Sequence, residues 1–218
     1  QTQKLIAELA RQADAEFKRA HFQIFAQITK LREICCDPHL LYENYHGNSG
    51  KLIMTIKLIK ANIENGHKIL LFSQFTSMLE IIQNKLVKLK IPIFVITGVT
   101  AKKERQEKIR QFNTLDKPGI FLISLKAGGT GINLTSADVV IHYDPWWNLA
   151  AENQASDRAH RMGQKHTVKI YKMVTRDSIE EKIISLQHKK ADLAKIILDN
   201  HDVAQATMSK ENLLKILK

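Results

Sequence analysis

Hydrophobic and polar residues follow two different rhythms along the chain. Up to about residue 66, apolar residues recur every three or four positions with charged residues between them, which is typical of amphipathic helices. The spacing predicts a helix from residue 1 to about residue 46, where Pro38 and "YHGNSG" (45–50) interrupt the pattern. It predicts a second helix from Lys51 that ends at Gly66.

From Lys68 onward, short runs rich in β-branched and aromatic residues replace the helical spacing. We predict five strands, at 68–72, 92–96, 119–124, 138–143 and 168–174. Helical spacing returns between and after them, at 76–90, 101–113, 149–162 and from 179, where Ser178 and Glu181 form a capping-box pattern. Nearly continuous apolar strands that alternate with helices predict an α/β fold, a parallel sheet with helices on both faces.

The length and composition suit a folded domain with a helical appendage. The chain has 218 residues, of which 44% are hydrophobic and 25% charged. We expect a helical segment at 1–48, an α/β lobe at 49–185 and a C-terminal helical extension at 186–218. No apolar run approaches the roughly 20 residues of a membrane span. The opening "QTQKLIAELA" has no signal-peptide pattern and no initiator Met, so we expect a fragment of a longer chain.

Charge and cysteine content narrow the expected partners. The formal net charge is +11, which favours a polyanionic partner, most simply nucleic acid. A basic surface that binds nothing is the alternative. Cys35 and Cys36 are adjacent, which makes them poor disulfide partners, and two cysteines do not form a zinc site. We therefore expect reduced thiols in an intracellular protein.

Ligands of open α/β sheets bind outside the carboxyl ends of the strands, so the loops there are the candidate site. The loop "LKAGGTGINLT" (125–135) contains three glycines after the third strand. It lacks the GxxxxGK[ST] pattern of a Walker A loop, and Leu134 breaks a GxGxxG fingerprint. "GNSGK" (47–51) is too short and follows no strand. Two interpretations of the 125–135 loop remain equally open. It would hold a phosphate through backbone N–H groups, Lys126 and Thr130, or it would be a tight turn without a ligand.

Two further loops carry candidate nucleic-acid contacts. Gly98 and Thr100 precede a helix whose first turn is basic. Together these residues would contact a phosphate, or the basic side chains would simply form a solvated helix face. "DPWWN" (144–148) places two tryptophans after the fourth strand, and one of them would touch nucleic acid unless both are core residues. Asn148 is the predicted cap of the next helix.

That helix contains "QASDRAHRMGQ" (154–164). Gln154, Arg158 and Arg161 stand at i, i+4 and i+7, which predicts one shared helix face. Two guanidinium groups and an amide on one face would clamp a polyphosphate. The alternative is an ordinary helix end in which Arg161 pairs with Asp157 and suits the helix dipole. No HExxH or GxSxG pattern and no histidine spacing of a metal site is present.

Several of these segments together resemble the C-terminal lobe of the sucrose-non-fermenting (Swi/Snf) family of superfamily-two helicase-like ATPases. "KILLFSQFTSMLEII" (68–82), 122–148 and 154–164 resemble its motifs four, five and six, and "ITGVTAKKERQEKIRQFN" (96–113) resembles the segment after motif four. "ITKLREICCDPHLL" (28–41) is similar to the helical stretch before this lobe. The resemblance implies a RecA-like parallel sheet of the P-loop NTPase type, as a second lobe without a Walker A loop.

The resemblance also implies roles for individual residues. Arg158 and Arg161 would be arginine fingers that reach ATP across the cleft between two lobes, with Gln154 organising that site. Gly129 and Gly131 would lie near the nucleotide, and the DNA backbone would be contacted by Ser73, Thr100, Lys126, Thr130 and Trp147. ATP with Mg²⁺ would be bound mainly by the first lobe, and we assign no metal ligand to this chain.

The function implied by the resemblance is that of a motor lobe of an ATP-dependent double-stranded DNA translocase or remodeller. Its partners would be double-stranded DNA, the N-terminal lobe of the same protein and a DNA-bound target protein, with no membrane. We expect the fragment alone to be inactive. A strand-separating helicase and a non-catalytic DNA-binding module are the alternatives. The expected location is the nucleoid of a prokaryotic cytoplasm or a eukaryotic nucleus.

Overall fold

The centre of the molecule is a five-stranded parallel sheet, as the sequence predicts. The computed structural model describes residues 22–128, 132–159 and 167–199, without the side chains of Lys126 and 190–199. The strand order is β2-β3-β1-β4-β5, and every described pairing is parallel. The strands are β1 Ile69–Ser73, β2 Ile93–Ile96, β3 Ile120–Ser124, β4 Val139–His142 and β5 Lys169–Lys172.

Helices precede and follow the strands in the order that the spacing predicts. Helix α1 occupies the described residues 22–36. The other helices are α2 Gly50–Glu64, α3 Thr76–Leu86, α4 Lys102–Asn113, the single turn α5 Leu125–Gly128, α6 Leu149–Ser156 and α7 Ile179–Asp199. Short 3₁₀ turns at Pro38–Leu40 and Val87–Leu89 follow α1 and α3.

Alternate side chains of the strands enter two different cores. Ile69 and Leu71 of β1 pack with α2 and α3 on one face. Leu70 and Phe72 pack on the other face with Phe112 of α4 and with α6. The central strands β1 and β3 are buried on both faces, and accordingly each has four consecutive apolar residues before its final serine. The predicted sheet with helices on both faces is therefore confirmed.

Helices α1 and α6 end well before the residues at which the sequence predicts their ends, and α3 gives way to a 3₁₀ turn after Leu86. Helix α1 stops at residue 36 and not near 46, because Asp37 precedes a proline, is extended at φ −162°, and its carboxylate accepts a hydrogen bond from the His39 N–H. Helix α6 stops at Ser156 and not at 162. Beyond it, the N–H groups of Arg158 and Ala159 bond three residues back, so the chain tightens into a turn.

The ends of the described chain meet beside the sheet. Ile28 of α1 packs against Ile179 and Ile183 of α7. At the start of α7, the Ser178 hydroxyl accepts from the Glu180 N–H, and the Glu181 carboxylate accepts from the Asp177 N–H, a variant of the predicted capping box. None of the described helices is both long and apolar enough to cross a membrane.

Candidate functional site at the carboxyl edge of the sheet

Asp144 organises the edge at which β1 and β4 end. Its carboxylate is fully buried and accepts hydrogen bonds from the Ser73 hydroxyl at 2.6 Å and from the Gln74 N–H at 3.1 Å. Burial raises the pKa of Asp144, and the Ser73 hydroxyl and the Arg32 guanidinium oppose that rise. The carboxylate thus fastens the loop after β4 to the end of β1.

Arg32 reaches this edge from α1. Its Nη2 donates to the Pro145 carbonyl at 2.8 Å and lies 3.4 Å from Asp144 Oδ2, and its Nη1 donates to Gln74 Oε1 at 3.1 Å. The guanidinium carbon is 5.5 Å from the centre of the Phe75 ring and 5.7 Å from that of Trp147. Planar donors and flanking rings suit arginine better than lysine, so α1 is joined to the edge by a specific contact.

Glu152 holds the loop after β4 against α6 and α7. Its buried carboxylate accepts from the Trp146 N–H at 3.1 Å and from Gln187 Nε2 at 3.2 Å, and Lys172 Nζ lies 2.6 Å from Oε1. Burial alone would raise the pKa of Glu152, but the hydrogen bond from Lys172 and the other donors lower it overall. The carboxylate therefore stays ionised and joins α6 to the loop after β4, to β5 and to α7.

His142, the last residue of β4, fixes the end of α6. One ring nitrogen lies 2.8 Å from the Ser156 hydroxyl, and the ring stacks on Phe72. Burial lowers the pKa of His142 to about 4, although Glu152 opposes that shift. The imidazole is therefore neutral near pH 7. The contact places the last residue of α6 at the carboxyl edge of the sheet, two residues before Arg158.

The turn that follows α6 touches the segment after the glycine loop. The Leu134 N–H donates to the Arg158 carbonyl at 3.1 Å. Because α6 ends at Ser156, Gln154 and Arg158 do not share a helix face: Gln154 is exposed, whereas Arg158 is 3% exposed. The predicted shared face is wrong for this pair. The prediction that both loops belong to one edge is supported by the backbone contact.

The predicted DNA contacts end up in different environments. The Ser73 hydroxyl is buried against Asp144, and Thr100 is half-buried, with its hydroxyl accepting from the Thr97 N–H. Trp146 is buried beside Phe72, and Trp147 is half-buried beside Arg32. Of the two tryptophans, Trp147 is thus the more accessible. Asn148 caps α6 as predicted, accepting from the Ala150 and Ala151 N–H groups.

Other predicted site residues lie outside the described part of the chain. These are Gly129, Thr130, Gly131, Arg161 and the side chain of Lys126. Their assigned roles stay predictions. Within the described ranges, no group of three or more His, Cys, Asp or Glu side chains is arranged to hold a metal ion.

Arg32, Asp144 and Glu152 are not among the site residues that the sequence predicts. A signal for Arg32 was present, since it stands four residues after Ile28 on the buried face of α1. Asp144 follows an apolar strand directly, where a carboxylate would face the ligand edge. Glu152 gave no comparable signal, because an acidic residue in the first turn of a helix is ordinarily a favourable exposed charge.

A parallel sheet of this order, with functional loops at its carboxyl edge, defines the class of the protein as a RecA-like lobe. The match to a family model makes the assignment specific. The chain belongs to the helicase conserved C-terminal domain family, whose model matches residues 50–163. This match covers α2, strands β1 to β4 and α6, and it ends before β5.

Known proteins agree with this assignment. An "Uncharacterized ATP-dependent helicase" of Mycoplasma pneumoniae is 39% identical over 204 residues, which are 92% of this chain and 19% of the relative. The SWI2/SNF2 ATPase C-terminal domain of Sulfolobus solfataricus is 34% identical, with a TM-score of 0.68 over 88% of this chain and 80% of that one. The Sulfolobus SWI2/SNF2 ATPase core solved with double-stranded DNA is 35% identical, with a TM-score of 0.68 over 88% and 41%.

These similarities confirm the resemblance that the motifs indicate, to Swi/Snf-type ATPases and to their C-terminal lobe in particular. The chain spans about a fifth of the length of the curated relatives that it matches.

Proposed function

We propose that this chain is the second motor lobe of an ATP-dependent translocase on double-stranded DNA. The observation that carries the proposal is the hydrogen bond from the Leu134 N–H to the Arg158 carbonyl. This bond joins the end of the glycine-containing loop (125–135) to the turn after α6, in which Arg158 lies. A second support is the 35% identity to an ATPase core that was solved with double-stranded DNA.

The residue types at this turn fit a polyphosphate. Guanidinium groups and glycine N–H groups are donors without a competing negative charge, and Arg binds phosphate oxygens in pairs. ATP would supply the γ-phosphoryl group that is transferred to water, leaving ADP, with Mg²⁺ held mainly by the other lobe. Arg158 and Arg161 would bind the phosphates, Gln154 would orient the site, and Gly129 and Gly131 would allow a close backbone approach.

The same edge of the sheet would hold the DNA backbone. Thr100, Lys126, Thr130 and Trp147 would contact phosphates or sugars, and Ser73 would act with them or through Asp144. Contacts to phosphates carry little sequence information, so the motor would tolerate most sequences. The changing separation of two lobes that each hold the backbone would then move the protein along DNA.

The test is carried out in the full-length protein that contains this chain. We expect Arg161→Ala to lower DNA-stimulated ATP turnover about 10³-fold or more, because the charge that develops on the transferred phosphoryl group loses its partner. DNA affinity, measured by fluorescence anisotropy, should change less than about threefold, since the finger acts on ATP and not on DNA.

Arg176→Ala is the matched control, because Arg176 is an exposed arginine in the turn before α7. It should alter neither quantity. Equal loss of turnover and DNA affinity in Arg161→Ala would assign the turn a structural role. Unchanged turnover would exclude the finger role altogether.

A further inference from the structure

A groove between α2 and α3 lies apart from the carboxyl edge and has no part in the proposed motor function. Its volume is about 620 Å³, within the range of pockets that bind a ligand or a few side chains. Both helices present residues at i, i+3, i+4 and i+7 to it. These are Ile53, Ile56, Lys57 and Lys60 from α2, and Ile81, Asn84, Lys85 and Lys88 from α3 and the turn after it.

The floor of the groove is aliphatic. Leu52 is nearly buried and belongs to the core, Ile56, Ile81 and Leu89 are partly buried, and Ile53 is 42% exposed. Aliphatic side chains in regular register form the kind of surface on which the apolar face of a helix packs. Ile53 in particular presents apolar area that a partner could remove from water.

The rim of the groove is basic. Four exposed lysines line it, namely Lys57, Lys60, Lys85 and Lys88. None of these four ammonium groups takes part in an ion pair within the described ranges. Asp37 also lines the groove, but its carboxylate is bound to the ring and the N–H of His39. An apolar strip is thus flanked by positive charge on both sides.

We propose that this groove binds an acidic amphipathic helix of a partner protein. Leucine-type anchors at i, i+4 and i+7 would fill the floor, and glutamates on both flanks of the helix would meet the four lysines. A nucleic-acid backbone fits less well. The floor offers no aromatic ring on which a base could stack, and charged phosphates gain nothing from contact with its aliphatic side chains. A second copy of this chain fits less well, because two chains of net charge +11 repel each other.

The probe is a fluorescein-labelled, hydrocarbon-stapled helical peptide with leucines on one face and glutamates on its flanks. Fluorescence anisotropy with the 218-residue chain should show saturable binding that weakens as salt is added. A peptide of the same composition with scrambled leucine positions should bind about tenfold more weakly, as should one with lysines in place of the glutamates.

Variants of the groove locate the binding. Ile53→Asp should lower the affinity about tenfold, and Lys57→Glu combined with Lys85→Glu should do the same, since each removes one of the two required features. The matched control reverses Lys102 and Lys103, on the helix that covers the opposite face of the sheet. It should change the affinity less than about twofold. Thermal unfolding of each variant establishes that it is folded, and Ile53 and the two lysines are exposed enough to be replaced separately.

Four results would overturn the proposal. The first is equal binding of the scrambled peptide, and the second is an equal loss of affinity in the control variant. The third is a DNA duplex that displaces the peptide and that also loses affinity through the groove variants, because the occupant is then a nucleic acid. The fourth is a concentration-dependent dimer in light scattering that Ile53→Asp abolishes, because the occupant is then a second copy.

Discussion

The side chains that matter most at the candidate site are charged and buried. Asp144 and Arg32 are both almost without exposed surface, and each has several hydrogen-bond partners. Removing water from two charges costs free energy, so such a pair stabilises little in itself. Removing one partner, however, leaves the other charge buried and unpaired. The pair therefore fixes a geometry and makes each of its members difficult to replace alone.

We expect Asp144→Ala to lower the free energy of unfolding by about 3–5 kcal/mol, because Arg32 loses its buried counter-charge. Urea unfolding followed by circular dichroism measures the change. Arg32→Met combined with Asp144→Ala should be more stable than Asp144→Ala alone, since the orphaned charge is gone. A double variant that is less stable than the single variant would contradict this explanation.

His142 makes stability depend on pH. Its pKa is lowered from 6.5 to about 4 in the folded chain. Between these two pH values the unfolded chain binds a proton that the folded chain does not. The contribution of neutral His142 to the free energy of unfolding is therefore present at pH 7 and is lost as the pH falls. For this one group, the loss between pH 7 and pH 5 is about 2 kcal/mol.

The measurement compares the free energy of unfolding at pH 7 and pH 5 in the wild type and in His142→Gln. The variant should lose about 2 kcal/mol less on acidification, because glutamine does not titrate. His188→Gln, which replaces an exposed histidine of α7, should behave as the wild type does. The same pH dependence in His142→Gln as in the wild type would show that other groups cause it.

At the scale of elements, a buried ion pair joins α2 to α7. Lys51 Nζ lies 2.5 Å from Glu180 Oε1, and Glu180 Oε2 accepts from the Thr175 N–H. Lys51 also lies over the Tyr143 ring, whose hydroxyl donates to the Cys36 carbonyl at the end of α1. The contacts of Lys51, at the start of α2, and of Glu180, at the start of α7, therefore connect α2, α7 and the end of α1.

Glu180→Gln should destabilise the start of α7, with a loss of about 3 kcal/mol, because Lys51 keeps a buried charge without a counter-ion. Hydrogen exchange followed by mass spectrometry should show faster exchange in the first turns of α7 and α2 than in β1 and β3. Glu80→Gln, at an exposed position of α3, is the matched control and should change exchange little. Uniformly faster exchange in the sheet would instead indicate global unfolding.

The strands were predictable because central strands of a parallel sheet are apolar on both faces, and β1 and β3 each have four consecutive apolar residues. The ends of α1 and α6 were not predictable to the same degree. Helical spacing continues past residue 36 in the sequence, whereas Asp37 and Pro38 end the helix locally. The turn at Arg158 depends on the Leu134 N–H, a contact between residues 24 positions apart, and helical periodicity carries no record of such a bond.

At the scale of the whole molecule, the proposed function gives this chain one side of an ATP site that a second lobe would complete. The sequence has no GxxxxGK[ST] loop that would hold the β-phosphate and Mg²⁺. We therefore expect the 218-residue chain alone to show no DNA-stimulated ATP hydrolysis above background in a coupled assay. The full-length protein should hydrolyse ATP under the same conditions. Turnover by the chain alone would refute the division of roles between two lobes.

The contact of Arg32 has a mechanical consequence. Helix α1 is a stiff rod whose 15 described residues span about 22 Å, and its guanidinium is wedged between two rings at the ends of β1 and β4. Residue 22 lies ten residues, or about 15 Å, from Arg32, so a tilt of about 10° around this wedge displaces that end of the helix by about 3 Å. Such a tilt would reach the edge of the sheet through the planar side chain of Arg32, and it would also strain the contacts of Ile28 with α7 and of the Cys36 carbonyl with Tyr143.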